Sequence, residues 1–449
     1  MIQGRRVKLQ KNKILLLIFL SLLLFCILVQ SVDIQATSEV SLTWSSRRHD
    51  AGNTAFNQGP APDTNQTLWT TSVGPKSEGV GGGYVPSAAV GYGKLFIGSR
   101  DGVLRAVDEL SGETVWVHLL DEHWDIFGPA VAYNRVYVVS DAGKLFALDE
   151  KTGEIMWTKN IPASPSINVV DDRLFIAAFN GSFYCVNATS GATLWTRDLV
   201  VSDGETYIIT HPAVADNRVF LGAVCLNETD GTTLWNITLN GQERGIGTRN
   251  FPAVTESKVF IGVDNTMYCL DEFTGSVLWN YTTNGEVFRA PPALAYGKVF
   301  VPSTDGIFYC LDAQNGTALW MKSDVGGVIS IGYGSTSAGA AVADGKIYLP
   351  NPDWTVTCLN ATNGELVWRF LTEGPPAPPI VADGTVFVTL VHDPQIYAIG
   401  KPPEASQNFW LYIGIAVVIV LIILGSLLAW RTRSKSKEPA TSPVSPSPA

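Results

Sequence analysis

The densest group of residues able to do chemistry is HLLDEHWDIF, which brings His118, Asp121, Glu122, His123 and Asp125 into one short stretch. Imidazoles and carboxylates together suit a metal ion or acid–base work. Their spacing argues against both. His118 and His123 are five apart, and alternation along an extended chain sends neighbouring side chains to opposite faces, so the group reads as an exposed loop. The chain carries no HExxH pair, no GxSxG elbow and no GxxxxGK[ST] loop. GVGGGY, residues 79–84, has the glycine density of a phosphate cradle without a helix after it, and reads as a connector.

What remains is a set of aromatic and cationic residues in irregular segments such as VVSDGETYIITH, NGQERGIGTRNF and TNGEVFRA. Trp124, Tyr207, His211, Arg244, Arg249, Arg289 and Tyr333 are the candidate ligand-binding residues. They suit stacking and hydrogen bonding to a partner better than making or breaking bonds, and no catalytic, cofactor-binding or metal-ligating residue is assigned.

These segments are spaced by a repeat. Tryptophans recur at Trp69, Trp116, Trp157, Trp195, Trp235, Trp279, Trp320 and Trp368, at intervals of 38 to 48 residues, the range of blade-type repeats. Seven of them end a common phrase, among them FALDEKTGEIMW, YCLDEFTGSVLW and TCLNATNGELVW. An alternating strand ends at Asp or Asn, whose side chain can hold turn amides; a Gly supplies positive φ, and a second strand carries the Trp. Upstream of each phrase lies another hairpin, turning at Tyr92-Gly93, Tyr133-Asn134 and equivalent pairs through Asp383-Gly384. Four strands per unit, called A to D, make a propeller blade. There are eight first hairpins. The last unit stops at Gly400 without a Trp strand, so TLWTTSV around Trp69 is expected to supply it and close the ring. RVFLGAVCLN, residues 218–227, lacks a B to C turn and implies a short or bulged blade.

Five cysteines, Cys185, Cys225, Cys269, Cys310 and Cys358, stand two residues before the phrase Asp or Asn. Equivalent positions on neighbouring blades are roughly 12 to 15 Å apart, beyond disulfide reach, so five buried free thiols are expected.

Two apolar segments set the topology. Residues 14–32 follow five Lys/Arg and resemble a secretory signal, cleaved or kept as an anchor, so residues 1–36 are read as signal peptide or signal anchor. Residues 410–430 form an uncharged stretch long enough to span a bilayer, and RTRSKSK after it places the tail 431–449 in the cytoplasm. Residues 37–400 then form an ectodomain joined by the linker 401–409, and the expected location is the plasma membrane. Between residues 37 and 409, 22 Lys/Arg face 39 Asp/Glu, which disfavours nucleic acid. Eight Asn-x-Ser/Thr sequons suit an exported chain; four lie in the phrase turn, where Asn and Thr also serve the turn itself, and Asn65, Asn236 and Asn280 are the glycosylation candidates.

The phrase in FALDEKTGEIMW resembles the Trp-docking motif of the pyrroloquinoline-quinone (PQQ) type β-propellers, in register from Trp69 to Gly400. The resemblance implies an all-β, eight-bladed propeller of four-stranded antiparallel blades. It divides on function between quinoprotein dehydrogenases and non-enzymatic propellers such as the bacterial outer-membrane assembly scaffold. The dehydrogenases carry an adjacent Cys-Cys pair and a calcium-binding set; no adjacent cysteines occur here, nor a CxxCH haem site. The expectation is a membrane-anchored extracytoplasmic scaffold with a protein or glycan partner and no cofactor. The alternatives are a PQQ- and calcium-dependent dehydrogenase acting on alcohols or sugars, and a surface sensor relaying through a membrane partner.

Overall fold

The computed structural model describes residues 44–401 apart from 47, 75–87, 123, 163–166, 179, 200–210, 240–250, 286, 288–290, 324, 326–338 and 392. The signal, linker and span expectations lie outside the described residues.

Hairpin turns set the architecture. All eight A to B turns are two residues long with both residues at positive φ, from Tyr92 (55°) and Gly93 (70°) to Asp383 (44°) and Gly384 (79°). That geometry matches the twist of paired strands and yields antiparallel hairpins. Blade 1 comprises Ala88–Gly91, Lys94–Gly98, Val103–Asp108 and Thr114–Leu119, hydrogen-bonded in that order. The plan recurs through the seventh blade, which ends at Leu366–Leu371. In the fourth, Arg218–Leu221 and Val224–Asn227 are joined through Gly222 and Ala223, so that blade is short, as its sequence implied. The eighth has Ile380–Ala382, Thr385–Thr389 and Gln395–Gly400 as strands A to C, with Thr67–Ser72 antiparallel to Gln395–Gly400 as strand D. The chain start thus closes the ring, as the missing Trp strand required.

The phrase does two jobs. Within a blade, the Asp149 carboxylate accepts the amides of Lys151 and Thr152, and the Asp271 carboxylate those of Phe273 and Thr274. Bonds from Thr152 and Thr274 hold these carboxyls below the usual range, so the turns lose stability as pH falls through the carboxylate pKa values. Between blades, every D strand bulges at its Trp, which turns the indole toward the next blade. Six indoles donate Nε1–H to a carbonyl there, from Trp69 to Glu109 (3.1 Å) round to Trp279 to Ala313 (3.1 Å). The ring lies on the phrase Gly of that blade. A Cβ on Gly316 would stand 2.5 Å from the Trp279 ring, and its φ of 74° excludes most other residues.

Two docks differ. Trp320 lies under Gly364 with its Nε1 unpaired, while the carbonyl in the position that accepts elsewhere, Ala361, takes Lys298 Nζ at 3.0 Å. Trp368 faces the eighth blade, which has no phrase, and its Nε1 is also unpaired. The five cysteines are buried and free, and burial pushes each thiol up to about 12, so they behave as small apolar packing residues.

Truncating a docked ring leaves a cavity between blades, so Trp279→Ala should cost about 3 to 5 kcal/mol. In a denaturant-melt cycle with Gly316→Ala, the double variant should be far less destabilised than the sum of the singles, because both act on one contact.

Candidate functional site: the axis and its surroundings

A ring of blades leaves the inner edge of every A strand unpaired, and here the chain itself covers those edges. Residues 44–57 wind through the axis and touch all eight blades. Trp44 exchanges backbone bonds with Val90 of the first blade (3.2 and 2.9 Å), and the Ser45 carbonyl accepts Val131 N–H of the second (2.7 Å). The Ala51 carbonyl accepts both Asn168 Nδ2 of the third (2.9 Å) and Val214 N–H of the fourth (2.7 Å). Carbonyls of Gly52, Thr54 and Ala55 accept Val254, Leu294 and Val342 N–H of the fifth, sixth and seventh, at 2.8 to 2.9 Å. Phe56–Asn57 then runs parallel to Ala341–Ala343, and Asn57 Nδ2 donates to Val381 of the eighth (2.8 Å).

Two buried side chains lock this plug. Asn53 Nδ2 reaches the carbonyls of His211, Pro212 and Pro252 at 3.0 to 3.2 Å. The Arg48 guanidinium donates to Pro292 (2.8 Å) and Ala340 (3.3 Å). These acceptors lie where A strands begin; proline there gives up no ladder N–H and keeps its carbonyl for the plug. The winding path places His49, Asn53 and Ala55 at φ of 75°, 59° and 54°, a strained conformation that the surrounding bonds hold. A Cβ on Gly52 would stand 2.5 Å from the Val254 carbonyl, so glycine is required for that approach.

Around the axis runs a second inter-blade system. Seven B strands begin with a cation: Lys94, Arg135, Arg173, Arg218, Lys258, Lys298 and Lys346. In four blades a buried Glu follows the phrase Asp or Asn: Glu109, Glu150, Glu228 and Glu272. Lys94 pairs with Glu150 of the next blade at 2.7 Å, and Arg173 with Glu228 at 2.6 Å. Turn tyrosines add a third link: the hydroxyls of Tyr92, Tyr133 and Tyr296 accept amides of the next blade's turn at 2.7 to 2.8 Å.

The closing seam breaks the charge pattern. The eighth B strand begins with Thr385, so Glu109 of the first blade meets Asp383 instead of a cation. Burial, then the Asp383 charge, raise Glu109 to about 7.

Of the predicted ligand-binding residues, Trp124 is half exposed, while His211 is buried with its ring stacked on Phe251 at 5.0 Å. Tyr207, Arg244, Arg249, Arg289 and Tyr333 lie outside the described residues. The structure therefore brings His211 to the plug and leaves Trp124 on the surface. Asp121 accepts the Ser140 hydroxyl at 2.8 Å, a bracing role, and burial raises Asp125. Asn65, Asn236 and Asn280 are all exposed, with Asn65 Nδ2 donating to the Arg369 carbonyl at 2.8 Å. Sequence reasoning missed Arg48, Asn53 and the plug, because that stretch carries no repeat.

Comparison with known proteins agrees with this architecture. The chain belongs to the family described as outer membrane protein assembly factor BamB, matched over residues 55–170, 160–224, 222–332 and 327–402. Among solved structures, BamB from Moraxella catarrhalis is similar at 17% identity, covering 75% of this chain and 99% of that one, with a TM-score of 0.58. A quinohemoprotein alcohol dehydrogenase from Comamonas testosteroni is similar at 13% identity, covering 83% of each chain, with a TM-score of 0.59. At these identities the likeness is one of fold. No curated protein matches the chain.

Losing three buried acceptor contacts at once, Asn53→Ala should destabilise by about 2 to 4 kcal/mol in a chemical melt. At the seam, folded Glu109 keeps a proton that the unfolded chain releases, so its contribution is full below about 4.5 and is lost as pH rises through about 7. Thr385→Lys should remove this loss, giving a larger gain in melting temperature at pH 8 than at pH 5.

Proposed function

We propose that the protein is an extracytoplasmic scaffold, held at the plasma membrane by residues 410–430, that presents its rigid ring to a protein partner. The carrying observation is the axis. A cofactor on the propeller axis would need the space that residues 44–57 occupy, and those residues are bonded to all eight inner strands. The residues lining it do not fit a quinone with calcium: backbone carbonyls there are already engaged, and among the described residues no three of His, Cys, Asp or Glu converge on a metal position.

A plugged, cross-linked ring favours a role in which shape is kept and surface is used. The family's description as an assembly factor supports the same reading. Exposed Trp124, and the connections between blades that carry the other aromatic and arginine candidates, are the proposed contact region. Such residues anchor protein interfaces at low entropic cost. Glycan remains the other partner class, distinguished by the test below.

A photo-crosslinking residue at position 124 of the membrane-bound protein should capture a discrete protein band; a glycan-only product would replace the partner class. In parallel, the purified full chain should melt at the same temperature with and without PQQ and calcium. A real site at a hundredfold excess over its Kd would add about 2.7 kcal/mol, and such a rise would overturn the scaffold reading.

A further inference from the structure

One position in the inter-blade charge system is vacant on one side. Lys258 begins the B strand of the fifth blade and pairs in register with Asp271, as Lys94 does with Asp108 and Arg173 with Asn187. Its counterparts Lys94 and Arg173 meet a glutamate from the following blade. The residue that would supply it here, the one after Asp312, is Ala313. Other blades with alanine at this place compensate: Tyr137 donates its hydroxyl to the Ala188 carbonyl, and Lys298 its ammonium to that of Ala361. The Lys258 ammonium has no hydrogen-bond or ion-pair partner among the described residues.

Where the glutamate is missing there is a cavity of about 550 Å³, within the size range of small-molecule sites. Lys258 and Ala313 both line it, with apolar Phe260 and Leu294. Its other walls are the plug, at His49, Asp50, Phe56 and Gln58, and the A to B turns with Glu256 and the turn tyrosine Tyr296; Lys298 adds a second cation, so two lysines and two carboxylates border the space. Phe56 and Tyr296 meet edge to face at 5.0 Å, and the Tyr296 hydroxyl is held by the Gly345 amide, so this wall is built before any ligand arrives. The exposed Gln58 amide stands on the plug side.

We propose that this cavity binds a small organic carboxylate, whose carboxyl group takes the place of the missing glutamate beside Lys258. The remainder of the ligand lies against Phe56, Tyr296 and Gln58. The site is built from blades 5 and 6 and the plug, on the side of the A to B turns, and it stands whether or not the scaffold reading does.

The test is calorimetric titration of the full chain in detergent with glucuronate, hexanoate and glucose. One or both acids should bind and glucose should not; which acid binds tells a polyhydroxylated from an aliphatic ligand. Lys258→Met should weaken binding at least tenfold and Lys258→Arg should keep it. Ala313→Glu should abolish binding and raise the melting temperature, because the side chain then fills the slot and pairs with Lys258. Absence of binding by both acids, equal binding of glucose, or unchanged binding in Ala313→Glu would each overturn the proposal.

Discussion

Backbone hydrogen bonding at the inner edge of the ring is the constraint on which this structure turns. Eight A strands converge on the axis, and each leaves donors and acceptors facing inward, away from the neighbouring strand of its own blade. An unpaired buried amide costs free energy comparable to a lost hydrogen bond, and an open edge invites foreign strands. The protein answers with residues 44–57, a segment that is irregular except for the short parallel strand Phe56–Asn57 and that winds past each blade in turn. Left-handed residues and Gly52 give the path its curvature, and Arg48 and Asn53 fasten it to the carbonyls that begin the A strands.

Outside the axis, cohesion passes from blade to blade by a repeated contact rather than through one central core. Seven Trp rings rest on the next blade's Gly, Lys94 and Arg173 pair with a Glu of the following blade, and three turn Tyr accept the neighbouring turn amide. Such nearest-neighbour coupling lets single blades vary without loss of the ring. The variation is concentrated at three places. The eighth blade lacks the phrase and the cation, so Trp368 has no carbonyl to meet and Glu109 faces Asp383. The third, sixth and seventh blades, with Ala188, Ala313 and Ala361, have no glutamate in the slot, and only beside Ala313 do the described contacts leave the cation unmatched next to a cavity.

The repeat was legible because its signals are local. Asp, Gly and Trp at fixed offsets encode a turn and a docking strand, and paired residues such as Asp171-Asp172 encode hairpins, so blade number, closure at Trp69 and the short fourth blade could all be read. The plug was not legible. Its bonds run through backbone carbonyls, which any residue possesses, and Arg48 and Asn53 stand in a stretch without periodicity. The charge system lay between these cases: the column of B-strand cations is visible in the sequence, but each partner belongs to the next repeat and appears only once blades are placed side by side. His211 reads from sequence as a ligand-binding residue of the irregular segment VVSDGETYIITH; its place just before an A strand buries it against Phe251 and gives its carbonyl to Asn53.

The plug is an integral part of the ring, and native-state hydrogen exchange tests that. The amides of Val90, Val131, Val214, Val254, Leu294 and Val342, which donate to the plug, should exchange only on global unfolding, with the same free energy as the Trp-strand amides. Exchange of these six amides at the rate of exposed loops, with the blades still protected, would show that the axis opens independently and would contradict the account.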